Sequence, residues 1–144
     1  MGDTQPAGCR FGPGGRRSRA VLDHVSLPIS DVERSKRFYE EALSPLGYRL
    51  IMEHHISGVG FGQSAKPDFW IRQGAPGAAV HVAFASEDRA TVDAFYEGAI
   101  VAGGHDNGQP GLRPEYHSAY YGAYVLDPDG NNIEAVCHRP EKET

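Results

Sequence analysis

The feature that most constrains the fold is an internal repeat. When the sequence is shifted by 57 positions, residues 24–42 align with residues 81–99 without a gap, and seven of the 19 aligned positions are identical. Unrelated segments of this length would share roughly one identity, whereas duplicated units keep a fixed period. Each copy opens with a histidine, His24 in the first and His81 in the second. The chain is therefore predicted to contain two copies of one structural unit.

Each copy has the pattern of one strand, one helix and three further strands. The apolar segments Leu22–Ile29 and Ala79–Ala85 predict the two opening strands. Ser30–Glu33 has the Ser-x-x-Glu spacing of a capping box, which predicts the start of the first helix, and Gly103-Gly104 predicts the end of the second. The other strand candidates are 48–53, 58–62, 69–72, 120–126 and 133–137, with a poorly marked one near 104–112. The predicted fold is α+β, with two βαβββ modules.

Composition limits the partners and the compartment. The 144 residues carry a net charge of −5, and four of the 14 basic side chains lie in residues 1–20, so the remainder is acidic. Nucleic acid is not expected as a partner, because duplex binding needs clustered Lys and Arg. No run reaches the roughly 18 apolar residues of a membrane span, and two Cys make no disulfide framework, which favours the cytoplasm. We expect residues 1–20 to form a flexible Gly/Arg-rich tail and residues 21–140 to form one domain. Its two modules would span about 21–75 and 78–138, and residues 141–144 would be a charged end.

Three side chains predict a metal site. A lone histidine in an apolar strand is more often a core residue, but His24 and His81 occupy equivalent positions of the repeat. Glu134 lies among apolar residues of the last predicted strand, where an unpaired carboxylate is costly and a cation is a natural partner. Two imidazoles and one carboxylate, with open coordination positions, are the set that holds a catalytic divalent metal.

Basic and aromatic side chains cluster between residues 113 and 121, at the start of the predicted strand 120–126. This segment is compatible with a wall or lid that supplies an anion contact and aromatic stacking to a small substrate, and equally with a surface loop that leads into an edge strand. His117 is the member most suited to chemistry, because histidine titrates near neutral pH without perturbation.

These motifs resemble the vicinal oxygen chelate superfamily of glyoxalases, bleomycin- and fosfomycin-resistance proteins and extradiol dioxygenases. The resemblance covers residues 21–138 and rests on the Asp-His-Val and His-Val strand openings and on the segment 127–134, Asp-Pro-Asp-Gly-Asn-Asn-Ile-Glu. It implies paired βαβββ modules whose sheets curve into a cup around a divalent metal (Fe, Mn, Ni or Zn), with His24, His81 and Glu134 as ligands. It also implies a small substrate chelated through vicinal oxygens, lyase or isomerase chemistry, and a homodimer. The modules would pair within one chain or be exchanged across the dimer.

Two further comparisons refine the expected activity. Glyoxalase I proteins carry an additional Glu on the last strand of the first module, which acts as the general base, but Trp70 stands at that position here. A true lactoylglutathione lyase is therefore not expected. The spacing of His117, Tyr124 and Glu134 resembles extradiol dioxygenases, in which the His is an acid/base and the Tyr a hydrogen-bond donor near the metal.

The expected site combines these resemblances with the aromatic and basic side chains read directly from the sequence. The predicted catalytic residues are His117 and Tyr124, and the predicted substrate contacts are Trp70, Arg113, Tyr116 and Tyr121. The leading hypothesis is a metal-dependent glyoxalase-like enzyme. The alternatives are an Fe(II) extradiol-type dioxygenase and a non-catalytic protein that sequesters a small molecule.

Overall fold

The chain folds into two modules of the same topology. The computed structural model describes residues 21–55 and 58–141. Its elements are β1 (Val25–Ile29), α1 (Val32–Leu43), β2 (Arg49–His54), β3 (Gly58–Gly62), β4 (Phe69–Gln73), β5 (His81–Ala85), α2 (Arg89–Val101), β6 (His105–Leu112), β7 (Tyr121–Leu126) and β8 (Asn132–Cys137), with a short 3₁₀ turn at Ser44–Leu46 after α1. The predicted tail, residues 1–20, and residues 142–144 lie outside the described residues. Within these, no helix is both long and apolar enough to cross a membrane.

Each module forms one four-stranded mixed sheet. The strand order is β1-β4-β3-β2 in the first sheet and β5-β8-β7-β6 in the second, so the two modules have the same arrangement. The opening strand of each module pairs in parallel with its last strand, and the other pairs are antiparallel. The α+β prediction of two βαβββ modules is confirmed.

The repeat extends to the helix caps. Asp31 caps α1 by accepting a hydrogen bond from the backbone N–H of Arg34 (3.1 Å), and Asp88 caps α2 through the N–H of Thr91 (2.7 Å). A carboxylate at this position satisfies one of the backbone donors that a helix start leaves unpaired. The prediction that Ser30 caps α1 was wrong by one residue, because the Ser30 hydroxyl instead donates to Asp129, at 2.5 Å, in the other module.

The helices lie together between the modules and share one core. Helix α1 contacts α2, and Phe38 and Phe95, which are equivalent in the repeat, are both fully buried. Phe84 of β5 packs edge-on against Phe69 of β4 and Tyr48, with ring centres 5.3 and 5.2 Å apart. Both sheets therefore bury the face that carries the helices. We call the face of each sheet that does not carry the helices its open face.

A turn between β7 and β8 ties the second module to α1. Asp127 is buried, and its carboxylate accepts hydrogen bonds from the backbone N–H groups of Asp129 (2.9 Å) and Asn131 (2.8 Å). Gly130 completes the turn with φ of +86°, a conformation that favours glycine. The Tyr39 hydroxyl of α1 donates to Asp127 at 2.5 Å. This contact fixes the turn that leads directly into β8.

Candidate functional site

A histidine and a buried carboxylate meet on the open face of the second sheet. Strand β8 buries Ile133 and Ala135 in the shared core, so the Glu134 side chain between them projects from the opposite face. Nε2 of His81 lies 3.0 Å from Oε2 of Glu134, whose side chain is only 2% exposed. These two predicted ligands are therefore brought together by the parallel pairing of β5 with β8.

The His81–Glu134 contact needs a positive charge, supplied either by a proton on Nε2 or by a metal ion. Nδ1 of His81 lies 3.0 Å from the backbone oxygen of Asn132, and because a carbonyl only accepts, Nδ1 carries the hydrogen. A neutral ring in this tautomer directs the lone pair of Nε2 toward the carboxylate. That arrangement is repulsive unless a second proton or a metal ion lies between the two groups.

Two tyrosines complete the surroundings of Glu134. The Tyr120 hydroxyl donates to Oε1 of Glu134, and Tyr124 lies opposite Glu134 in the β7–β8 register. The Tyr124 ring centre is 6.2 Å from that of His81. Burial, followed by the bond to Glu134, raises the pKa of Tyr120 well above its ordinary value, and burial also raises the pKa of Tyr124. Both hydroxyls therefore keep their protons at neutral pH.

His24 occupies a separate place at the edge of the first sheet. Its Nδ1 is hydrogen-bonded to Oδ1 of Asp23 at 2.7 Å, and Lys66 forms an ion pair with the same carboxylate at 2.9 Å. The bonds from His24 and Lys66 lower the pKa of Asp23. Because the carboxylate holds the Nδ1 hydrogen, Nε2 is the nitrogen left for a ligand. His24 thus has the same tautomer as His81, imposed by a different acceptor.

The predicted metal triad is not assembled within one chain. Within residues 21–55 and 58–141, no three His, Cys, Asp or Glu side chains come together as a group that could hold a metal ion. His81 and Glu134 are in contact, whereas His24 lines an open groove of about 520 Å³ along the first sheet, together with Ser26, Met52 and Trp70. The candidate site is therefore divided between two open faces.

The sheet register identifies Trp70 as the counterpart of Glu134. Ser26 pairs with Trp70 in the first sheet, and Ala83, which is 57 residues after Ser26, pairs with Glu134 in the second. The half-buried Trp70 thus occupies the position in the first module that a carboxylate occupies in the second. The prediction that Trp70 lines the site remains a proposal, and its placement in the groove with His24 is compatible with it.

The segment 113–120 forms a loop beside the second open face. The N–H of Arg113 donates to the carbonyl of Tyr120 at 2.8 Å and closes the loop, and the exposed Tyr116 ring lies 4.8 Å from that of Tyr120. His117 bonds through Nε2 to Nδ1 of His138 at 2.8 Å and contacts the Tyr120 ring edge-on. The loop therefore approaches Glu134 through Tyr120.

Tyr121 was predicted as a substrate contact, but the structure places it on the other side of the sheet. Its hydroxyl donates to Asp93 of α2 at 2.6 Å, and the Arg89 guanidinium lies 5.1 Å from its ring centre. Successive side chains of a strand point to opposite faces, so Tyr120 and Tyr121 separate. The residue that reaches Glu134 is Tyr120, which is not among the predicted contacts. The pair of adjacent tyrosines was the available signal, but it did not say which would face the site.

The family is established by comparison with known proteins. The family model for the Glyoxalase/Bleomycin resistance protein/Dioxygenase superfamily matches residues 21–135, which includes both modules. The chain belongs to this superfamily. No curated protein matches the chain by sequence. Membership confirms the resemblance that the strand openings and the 127–134 motif indicated.

Solved structures of the superfamily share the fold. A glyoxalase/bleomycin resistance protein from Albidiferax ferrireducens is 30% identical, with a TM-score of 0.73, and the match covers 82% of this chain and 99% of that one. A glyoxalase-related enzyme from Fulvimarina pelagi is 20% identical (TM-score 0.63; 81% and 86% covered) and supports the fold alone. A mutant of glyoxalase I from Zea mays is 26% identical (TM-score 0.60), with 81% of this chain and 46% of that chain covered. The superfamily thus includes enzymes.

Proposed function

We propose that this chain is a divalent-metal-dependent enzyme of the glyoxalase-like kind that acts on a small oxygenated molecule by isomerase or lyase chemistry. The observation that carries the proposal is the His81–Glu134 pair. A carboxylate that is 2% exposed lies 3.0 Å from Nε2 of an imidazole whose Nδ1 hydrogen is held by a backbone carbonyl. One nitrogen and one oxygen donor suit Zn, Fe, Ni or Mn, so these two residues would supply part of a divalent-metal site.

The third ligand in this proposal is His24 of the partner subunit. Within one chain His24 does not join His81 and Glu134, although Asp23 prepares its Nε2 for ligation. The groove beside His24 is lined by Met52, which is 46% exposed, and by the half-buried Trp70. A symmetric homodimer that joins the open face of the first sheet to that of the second in the other copy would complete two sites and cover this surface.

The metal, when bound, would act as a Lewis acid toward two vicinal oxygens of the substrate. The chain's own residues prepare and surround that position. Tyr120 holds one oxygen of Glu134 and leaves Oε2 directed at His81, while the backbone oxygen of Asn132 fixes the His81 tautomer. Tyr124, protonated and on the same face, is the group placed to donate a hydrogen bond to the substrate. Both ring nitrogens of His117 are hydrogen-bonded, Nε2 to His138 and Nδ1 to the N–H of Ala119, so His117 would order the loop beside Tyr120.

Lactoylglutathione lyase activity is not part of this proposal. The resemblance to glyoxalase I requires a carboxylate as general base on the last strand of the first module. Trp70 occupies the position equivalent to Glu134 there, and an indole has no site that takes up a proton at neutral pH. A base for this chain must therefore come from another group.

Oxygen-dependent ring cleavage is the second candidate reaction. It is favoured by the position of Tyr124, which is on the Glu134 face and beside His81, as the extradiol resemblance implies. Bound Fe with catechol-dependent oxygen uptake would identify this reaction. Bound Mn, Ni or Zn without oxygen uptake would identify isomerase or lyase chemistry.

Metal analysis tests the proposal directly. We expect protein purified without chelator to hold a divalent metal, and His81→Ala and Glu134→Gln to lose it, because each removes one donor. Glu97→Gln is the matched control, since Glu97 is exposed on α2, on the opposite side of the sheet from the site. Metal content in Glu134→Gln equal to that of the wild type would contradict the proposal.

Subunit complementation tests the shared site. His24→Ala and Glu134→Gln proteins each lack a ligand, but a mixed dimer would contain one complete site and one that lacks both. After subunit exchange, about one site in four should bind metal again, because half of the dimers are mixed. No recovery of metal binding, in a mixture shown to have exchanged subunits, would refute the exchanged arrangement.

A further inference from the structure

Arg113 holds a positive charge beside the open face of the second sheet without an acidic partner. Its Nη2 donates to the backbone oxygen of Gln109 at 2.6 Å, and its Nη1 donates to that of Leu112 at 3.3 Å. In the described parts of the chain, none of the ion pairs includes Arg113. The guanidinium is half-buried and fixed by carbonyl dipoles, and its charge remains available.

Strand β6 is shaped to receive this guanidinium. A Cβ at Gly111 would lie 3.0 Å from Nη1 of Arg113, and a Cβ at Gly108 would lie 3.4 Å from Nη2 and 2.8 Å from the Tyr124 ring. Gly108 also has φ of +152°, which disfavours other residues. The two glycines therefore leave the space in which the arginine lies against Tyr124.

The Tyr124 ring lies between the Arg113 guanidinium, on the β6 side, and His81, on the β5 side. The central carbon of the Arg113 guanidinium is 5.5 Å from the Tyr124 ring centre, and the His81 ring centre is 6.2 Å from it. A substrate held at His81 and Glu134 that extends past the Tyr124 ring toward β6 would therefore reach the cation. Guanidinium donors not used by the two carbonyls remain for it.

We propose that Arg113 is a specificity-determining residue that selects substrates carrying a carboxylate group, bound on the Tyr124 side of the His81–Glu134 pair. The proposal rests on the function proposed above and names the class of substrate. A planar guanidinium matches a carboxylate in shape, and its single charge balances that of one carboxylate. A phosphate monoester, with about −1.5 to −2 charges at neutral pH, would call for a further cation.

A matched pair of ligands tests the proposal. The probes are 3,4-dihydroxyphenylacetate and its neutral amide, which share the same vicinal oxygens. Calorimetric titrations are made without oxygen on protein loaded with Mn²⁺. The acid should bind roughly 10- to 100-fold more tightly than the amide, as expected for a charge-assisted pair. In Arg113→Gln the two affinities should agree within about threefold, and Arg113→Lys should be intermediate.

Controls separate this proposal from the metal proposal. Arg139→Gln, a change at an exposed arginine paired with Glu87, should keep the preference for the acid. Equal binding of acid and amide by the wild type, or a preference retained in Arg113→Gln, would overturn the role of Arg113. The Nε–H resonance of Arg113, followed by NMR in protein treated with chelator, should shift with the acid and not with the amide. If the Arg113 resonance does not shift with the acid, either with or without metal, the role of Arg113 is also overturned. If the affinities for acid and amide are unaffected by chelator, only the metal site is contradicted.

Discussion

Replacing Tyr39 with Phe should destabilise the fold by removing one hydrogen bond between the modules. The Tyr39 side chain is fully buried, and its hydroxyl is 2.5 Å from Oδ2 of Asp127, a carboxylate in a residue that is 3% exposed. Without it, Oδ2 keeps one donor, Nδ2 of Asn131 at 2.9 Å. The ring contacts with Phe38 and Phe69, both at 4.9 Å, are available to Phe as well, so the hydroxyl is the only loss.

The expected cost follows from the charge and burial of the acceptor. A hydrogen bond to a charged group contributes about 1.5–3 kcal/mol, so we expect about 2 kcal/mol from Tyr39→Phe. For a chain of this length that corresponds to a Tm lower by roughly 6 °C. The matched control is Tyr48→Phe, because the Tyr48 hydroxyl donates to an exposed carboxylate, that of Asp68, at 3.1 Å. There we expect about 0.5 kcal/mol, since water can replace the lost partner.

Urea unfolding followed by circular dichroism measures both variants. The slope of free energy against denaturant should be unchanged, so the difference is read from the midpoints. The reasoning is refuted if Tyr39→Phe loses less than about 0.5 kcal/mol, or no more than Tyr48→Phe. Either result would mean that the turn before β8 does not depend on α1 for its stability.

Two further changes probe the site and its surroundings. Tyr120→Phe removes a hydrogen-bond donor to Glu134 and should weaken metal binding by roughly 10- to 100-fold, measured in competition with a chelating dye. Tyr116→Phe, a change at an exposed tyrosine, should leave the metal affinity unchanged. Equal metal affinities in the two variants would contradict the role given to Tyr120. Burial and the bond to Asp93 raise the pKa of Tyr121 to about 12 from its ordinary value of 10.0. The raised value means that the folded state holds the proton more tightly. The contribution of this proton to the free energy of unfolding is therefore complete below pH 10 and is lost between about pH 10 and 12. In Tyr121→Phe, unfolding curves measured over this alkaline range should lack that loss of stability.

Local sequence patterns predicted the modules because each repeated signal acts over a few residues. Asp31 and Asp88 cap their helices through a backbone N–H three positions away, a contact contained within either copy, although the Ser-x-x-Glu spacing pointed to Ser30 instead of Asp31. The error at Ser30 has a different origin. Its hydroxyl is taken by Asp129, which is 99 residues away in the sequence, and no short-range pattern contains that contact.

Strand β6 shows how pairing overrides propensity. Its sequence, His-Asp-Asn-Gly-Gln-Pro-Gly-Leu, is poor in the residues that favour strands, which explains why the element near residues 104–112 was poorly marked. It is nevertheless extended, because β7 pairs with it along its length despite register shifts near Gly108 and Gly111. The same glycines leave room for the Arg113 side chain, and strand propensities do not contain such a contact.

The site could be predicted only as far as strand alternation determines it. The contact of His81 with Glu134 depends on the parallel pairing of β5 with β8, and the family resemblance implied that the two residues meet, whereas the repeat alone did not. The faces of Tyr120 and Tyr121 depend on where β7 begins, and a shift of one residue exchanges them. The position of His24 relative to Glu134 depends on how the modules pack, which neither strand pattern nor spacing specifies.

The two modules carry different side chains at equivalent positions, and under the proposed function this difference sets the number of metal ligands. If both modules had kept a carboxylate on the last strand, a joined pair of open faces would offer two histidines and two carboxylates. The register places Trp70 where the second carboxylate would stand, so at most three of these donors remain. A divalent metal held by three protein ligands keeps positions open for substrate oxygens, and the indole supplies an apolar surface beside them. Under the proposed function, Trp70 would thus favour a site that binds and activates a chelating substrate over one that binds metal for structural purposes.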